Sequence, residues 1–254
     1  MLTFTSTQLE SWVASYAWPL VRVLALIGSA PLLGHRTIPA RVKIGLALAI
    51  TIVLAPLLPA GQTPALLSAQ GFYTLVQQIF IGVALGFSAS IVMAAVGLAG
   101  ELMGLQVGLS FAGFFDLQNS LGENAVGAWL TLIVSMLFLS INGHLIMLDA
   151  LARSFQWFPI AGPAGGLPDV HALVKLGADI FATGLALAMP VVATMLFVNL
   201  ALGIMARATP QLNIFAIGFP LTLLLGLVAI YFCLPYLEAP LVNALLRGVT
   251  GMTP

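Results

Sequence analysis

The 254-residue sequence is 61% hydrophobic and only 6% charged, with a mean hydropathy of +1.11. Soluble domains carry about 25% charged residues, so this composition excludes an ordinary water-soluble domain and requires a membrane or other apolar chains around the protein. Eight basic residues balance eight acidic ones, which argues against nucleic-acid binding. The single cysteine, Cys233, excludes an internal disulfide and argues against a cysteine metal site.

Six apolar segments predict an all-α membrane-associated protein, arranged as helical hairpins of irregular length. None alternates polar and apolar residues as the strands of a membrane barrel do. The second segment, at roughly 22 Å of helix, is shorter than a bilayer core, and the third, at roughly 42 Å, is longer. The segments are Ser11–Leu33, Ile44–Leu58, Phe72–Ala99, Val126–Leu148, Ile180–Met205 and Ile214–Pro235.

The loop at residues 34–43, GHRTIPARVK, contains Arg36, Arg41 and Lys43 and no acidic residue. By the positive-inside rule we expect this loop to face the cytoplasm.

The pattern Arg-x-x-Pro occurs twice, as Arg36/Pro39 and as Arg207/Pro210. Proline suits the start of a helix, and arginine can bind the last carbonyls of the preceding helix. The repeat therefore predicts two similarly oriented hairpins, with a chance match of turn residues as the alternative.

Small residues recur every fourth position in two runs, which places them on one helix face and allows another backbone to approach closely. Each glycine costs about 1 kcal/mol relative to alanine inside a helix, so tight packing must compensate. The partner backbone belongs either to this chain or to another subunit. The two runs are Gly82, Gly86, Ser90 and Gly100, Gly104, Gly108.

Arg22 and Glu101 lie in or beside apolar runs and have no oppositely charged neighbour one helical turn away. Ions at membrane depth usually face a partner or a water-filled path. We therefore expect each to have an interhelical or intersubunit partner.

Two oppositely charged pairs, Asp149/Arg153 and Lys175/Asp179, are spaced by four residues. Local pairing on a helix surface is favoured over an ion or proton route for both.

Signals for an enzyme are poor. His35, His144 and His171 are dispersed, and no metalloprotease helix or phosphate-binding loop is visible. The sequence therefore predicts a non-enzymatic protein with no catalytic residue, cofactor or metal.

Five stretches carry a family resemblance: RVLALIGSAPLLG, IPARVKIGLALA, GELMGLQVGLSF, NGHLIMLDALARSF and RATPQLNIFAIGFPL, between Arg22 and Leu225. The most specific are Glu-x-x-Gly-x-Gln-x-Gly, which contains Glu101, Gly104 and Gln106, and Arg-Ala-x-Pro-Gln-x-Asn-x-Phe. Together they resemble the FliR/SctT family of type III secretion export-gate subunits, and the flagellar branch is favoured over the virulence branch.

The resemblance implies a subunit of a protein export channel in the bacterial inner membrane, at the flagellar basal body. It implies FliP-like, FliQ-like and FlhB-like partner subunits, passage of unfolded polypeptides, and contact with membrane lipid but not nucleic acid. It also implies a FliP-like part at residues 1–168 and a FliQ-like helical hairpin at residues 169–254.

A glycine-rich loop entering the pore as a plug is a further implication of the resemblance. It maps to Leu109–Gly122, with Leu109, Phe111, Phe114 and Phe115 as the bulky residues. Apolar rings can close a pore by excluding water. The alternative is an ordinary interhelical loop whose phenylalanines pack on the bundle.

Two other functions stay open at this point. One is a secondary transporter for a small solute, with broken helices around Gly97–Gly108 and Pro190. The other is a homologous subunit of a virulence secretion system. An intramembrane hydrolase lacks a credible catalytic set.

Overall fold

The computed structural model describes residues 6–58, 64–109, 124–160, 170–209, 214–240 and 242–243. Within these ranges the protein contains helices and turns and no strand, which confirms the predicted all-α class. The α-helices with described bounds are α1 (Ser6–Ser29), α2 (Ala40–Leu54), α3 (Ala69–Val107), α4 (Ala125–Ser140), α5 (Gly143–Trp157), α6 (Val170–Ala208) and α7 (Ile214–Cys233).

Together with the turn that follows it, the second helix forms a span longer than the 15 residues that the sequence predicted. It begins at Ala40, and a 3-10 turn, Ala55–Leu57, continues it to form an 18-residue apolar span. The span covers roughly 27 Å, close to the thickness of a bilayer core. The apolar run underestimated it because Arg41 and Lys43 belong to the first turn, where charged side chains can remain at the membrane surface.

The third helix also exceeds its predicted length. It has 39 residues and continues through the glycine block to Val107, where the apolar segment was expected to end at Ala99. The helix α6 has 39 residues as well. Each is roughly 58 Å long, much longer than one membrane crossing requires.

The predicted fourth segment is two helices. A break at Ile141–Asn142 separates α4 from α5, and the two helices are bent by 62°. Asn142 has a left-handed conformation, with φ of 57°. Asparagine tolerates this conformation at helix ends, so α4 ends at this polar break.

In the part of the chain that the structure describes, five helices are long and apolar enough to cross a membrane, and a sixth span results if the bent α4–α5 pair is one crossing. This agrees with about six apolar segments. The chain forms two compact units. The first comprises Met1–Ser90, Asn142–Leu176 and Leu245–Pro254, and the second comprises Ile91–Ile141 and Gly177–Ala244. The predicted division at residues 168/169 falls outside the described residues and stays a prediction.

A fully buried arginine lies at the centre of the first unit. The Arg22 guanidinium of α1 donates from Nε to Gln78 Oε1 (2.7 Å), from one terminal nitrogen to Ser154 Oγ (3.0 Å), and from the other to the Phe158 carbonyl (2.8 Å). The Arg22 Cζ atom lies over the Phe155 ring, 4.0 Å from its centre. The partner is therefore interhelical: one cation ties α1 to α3 and to the end of α5.

Close approach of α1 to α3 makes this arrangement possible. A Cβ at Gly82 would collide with the Arg22 carbonyl oxygen, and one at Gly86 would collide with Ser29. The Ser90 hydroxyl donates to the Ser29 carbonyl at 2.7 Å. The first small-residue face thus packs against this chain itself.

We expect Arg22→Leu to destabilise the first unit by about 3–5 kcal/mol, because it leaves three buried hydrogen-bond acceptors without a donor. Arg22→Lys should recover only part of this, since one ammonium lacks the planar fork that reaches all three. The measurement is unfolding of the full-length chain in mixed micelles with increasing dodecyl sulfate. Arg207→Leu, at an exposed position, is the control, and equal losses for the two leucine variants would contradict the assignment.

Candidate functional site

The site predicted around the glycine block lies in the second unit, where α3 ends. Gly108 has φ of +90°, a left-handed conformation that glycine adopts without steric cost. Its N–H donates to the Leu105 carbonyl at 3.2 Å, and the Leu109 N–H donates to the Gly104 carbonyl at 3.1 Å. These two bonds form a Schellman motif, so Gly108 terminates the helix. The next residue, Leu109, is half-buried.

Glu101 and Asn124 form a hydrogen-bonded clasp between α3 and the start of α4. The Asn124 backbone N–H donates to Glu101 Oε1 at 2.8 Å, and the Asn124 side-chain amide donates to Glu101 Oε2 at 2.9 Å. Asn124 Oδ1 in turn accepts from the Gly127 N–H at 2.7 Å, capping α4. The carboxylate is satisfied by two donors and needs no cation.

The clasp depends on close contact between backbones. A Cβ at Gly100 would lie 2.5 Å from the Gly127 Cα, and one at Gly104 would overlap the Asn124 side chain. The residue opposite is also a glycine, Gly127, and a Cβ there would lie 3.1 Å from Glu101 Oε1. The second small-residue run therefore also packs within this chain.

A third helix packs against the same end of α3. A Cβ at Gly226 of α7 would meet the Val107 side chain, and the Phe219 ring lies 3.6 Å from where a Cβ of Gly108 would be. The end of α3 is thus fixed by α4 and by α7.

The clasp holds together the two ends of the segment predicted as a plug. Asn124 packs on Gly104, which lies one turn before Leu109. The predicted plug residues Phe111, Phe114 and Phe115 lie outside the described residues. The structure therefore describes Leu109 and Asn124, the two residues that border the undescribed part of the chain.

The remaining predicted site residues do not join the clasp. Gln106 is half-buried in the last turn of α3, and Arg207 is exposed in the last turn of α6. Pro210 lies outside the described residues. In the described part of the chain, no hydrogen bond connects Arg207 to the terminal carbonyls that the sequence pattern suggested, and Lys43, rather than Arg36, donates to the Gly34 carbonyl, at 2.8 Å.

Of the two predicted local charge pairs, the structure confirms Asp149–Arg153. Arg153 Nε lies 2.8 Å from Asp149 Oδ2, and both side chains are exposed. Such an exposed pair contributes little to stability.

Asn124 is the partner that sequence reasoning missed. An asparagine directly before an apolar helical run is a recognised helix-start signal, and it occurs here before Ala125. That signal predicts the cap on α4. It does not predict that the same side chain would also reach Glu101 of another helix.

Comparison with known proteins supplies the family. Residues 13–247 match the model of the family described as bacterial export proteins, family 1. The chain belongs to the FliR family of bacterial export proteins. The predicted family resemblance is confirmed.

Three relatives illustrate the similarity, and each has the name flagellar biosynthetic protein FliR. The protein from Pectobacterium carotovorum subsp. carotovorum is 45% identical over 92% of this chain and 90% of its own length. The Escherichia coli K12 protein is 47% identical over 89% of this chain and 87% of its own length. The Bacillus subtilis protein is 30% identical over 84% of this chain and 83% of its own length. Membership of this family and the apolar helices make the chain a membrane-embedded component of flagellar protein export.

We expect Glu101→Ala and Asn124→Ala to be non-additive. Either change removes the clasp, so the double variant should lose only slightly more stability than one single variant. The coupling energy should be about 1–3 kcal/mol, as for residues in one hydrogen-bond network. Unfolding of the full-length chain in mixed micelles measures it, and strictly additive losses would mean that the two residues do not depend on each other.

A steric variant breaks the same clasp without touching its polar groups. Gly104→Ala places a methyl group on Asn124, whereas Gly97→Ala in the same helix meets nothing within 4 Å. The first should destabilise the chain, and the second should leave stability unchanged or raise it by up to about 1 kcal/mol.

Proposed function

We propose that this protein is a non-enzymatic subunit of the flagellar type III export gate in the bacterial inner membrane, at the flagellar basal body. Membership of the export family over nearly the whole chain is the observation that carries the proposal. The partners would be FliP-like, FliQ-like and FlhB-like subunits, and the exported molecules unfolded flagellar polypeptides.

The apolar surface supports an assembled subunit. Large exposed side chains occur along α6 and α7, among them Phe181, Phe197, Leu200, Tyr231 and Phe232. Both α3 and α6 are roughly 58 Å long, which exceeds a bilayer core by roughly 28 Å. Apolar helix beyond the bilayer requires other protein subunits around it.

We further propose that Leu109–Gly122 contributes to the plug of the channel. The clasp supports this role, because a loop that is anchored at both ends keeps its position in the protein even when its central residues move. About fifteen residues separate Leu109 from Asn124, so the middle of the loop can reach at most about 25 Å from the clasp. That reach is larger than the 10–12 Å diameter of a helix, and is sufficient to cross a channel for an unfolded chain.

A secondary transporter fits the clasp less well. A midplane substrate site needs unpaired polar groups facing a cavity. Here both Glu101 oxygens already accept hydrogen bonds from Asn124, and Arg22 is bonded on three sides.

Coexpression tests the proposed subunit role. Expressed alone in a strain without flagellar genes, the chain should aggregate in mild detergent, because its exposed apolar helices lack their protein neighbours. With FliP-like and FliQ-like subunits it should enter one discrete complex, measured by size-exclusion chromatography with mass determination. A monodisperse chain that transports a small solute by itself would contradict the proposal.

Replacing the three predicted plug phenylalanines tests the finer assignment. With Phe111, Phe114 and Phe115 all changed to alanine, the complex should still assemble, because the clasp is untouched. The loss of bulk should let water and ions enter the channel. The measurement is membrane depolarisation of cells that contain the assembled complex.

Single substitutions should depolarise cells less, since the remaining rings still exclude water. The control is a double alanine variant of Phe72 and Phe87, two exposed phenylalanines of α3 that lie outside the loop and outside the surfaces assigned to other subunits. An assembled complex that stays ion-tight both with the loop phenylalanines replaced and with the loop shortened would show that the loop is not the seal.

A further inference from the structure

The turn between α1 and α2 carries positive charge that no described residue neutralises. No acidic residue occurs between positions 11 and 100. Lys43 Nζ donates to the Gly34 carbonyl at 2.8 Å, which holds its charge on the turn. Arg36 and Arg41 are exposed and, within the described ranges, form no hydrogen bond or ion pair. Two guanidinium groups are therefore available to an outside anion.

The helix that follows this turn is apolar around most of its circumference. Only Ala47 and Thr51 of α2 are buried. At 100° per residue, the exposed apolar positions span an arc of about 200°, which is more than half of the helix circumference. They are Val42, Ile44, Leu46, Leu48, Ile52 and Val53. A docked protein covers one stripe of a helix, whereas a surface this wide is suited to a fluid apolar surrounding.

We propose that the basic turn binds the phosphate headgroups of anionic phospholipid, with α2 facing the acyl chains of the same lipids. The 18-residue span Ala40–Leu57 covers roughly 27 Å, which matches the hydrocarbon layer. Arg36 and Arg41 lie at one end of this span, at the depth of the headgroups. Guanidinium groups bind phosphate oxygens through paired N–H donors, so the cations and the apolar helix bind the two parts of one lipid.

The expected effect follows from charge at an anionic surface. Each basic residue near such a surface strengthens binding about fivefold, so two residues give about 25-fold. Because the contact is exposed, added salt should weaken the lipid binding once the ionic strength brings the Debye length below about 10 Å. Neither expectation depends on the proposed role in protein export.

Native mass spectrometry of the full-length chain tests the proposal, with a non-ionic amphipol keeping the chain soluble because it is expected to aggregate in mild detergent. The probes are phosphatidylglycerol and phosphatidylcholine with the same acyl chains, added separately. Wild type should bind phosphatidylglycerol at least about tenfold more tightly. The R36Q/R41Q variant should lose this preference, R36K/R41K should keep most of it, and the matched control R153Q/K175Q, with the same charge change at two other exposed positions, should keep it fully.

Three results would overturn the proposal. Wild type could bind both lipids equally, or R36Q/R41Q could keep the wild-type preference. In a parallel coexpression, R36Q/R41Q could also lose a partner subunit while its lipid preference is unchanged, which would assign the turn to an acidic protein surface. A failure of export with lipid preference intact would leave this proposal standing, so the two proposals are separately testable.

Discussion

Close backbone approach to α3 is the constraint on which both polar centres of this protein depend. In the first unit, the absence of a side chain at Gly82 lets α1 approach until the Arg22 carbonyl lies where a Cβ would be. One turn earlier in α3, Gln78 accepts a hydrogen bond from the Arg22 guanidinium. In the second unit, Gly104 admits the Asn124 side chain, and Glu101, one turn earlier, accepts its N–H groups. Gln78 and Glu101 thus each precede by about one turn the glycine that brings their partner within hydrogen-bonding distance.

Neutral hydrogen-bond partners satisfy both charges. Arg22 is bonded to an amide, a hydroxyl and a carbonyl, and Glu101 to an asparagine. Burying a charge in an apolar medium is costly unless every bond of the charged group has a partner. We therefore expect each centre to lose stability when a substitution displaces one of these partners.

Helices, their order and the small-residue faces were predictable because hydrophobic runs and four-residue spacing are local properties. The end of α3 was not, because glycines and a glutamate in an apolar chain look like a break, although packing against Gly127 and hydrogen bonding to Asn124 keep Gly100 and Glu101 helical. The partners of Arg22 were also beyond sequence reasoning. Ser154 and the Phe158 carbonyl lie more than a hundred residues away along the chain, and nothing local marks them.

The choice between an internal and an external partner for the glycine faces has a consequence for assembly. Both faces are used within the chain, so a subunit contact has to use other surfaces. The exposed apolar side chains of α6 and α7 provide them, whereas those of α2 are assigned to lipid. The glycine faces set the fold of this chain, whereas its contacts with lipid and with other subunits depend on large side chains such as Ile52, Phe197 and Tyr231. Substitutions on these two kinds of surface should therefore separate folding from assembly.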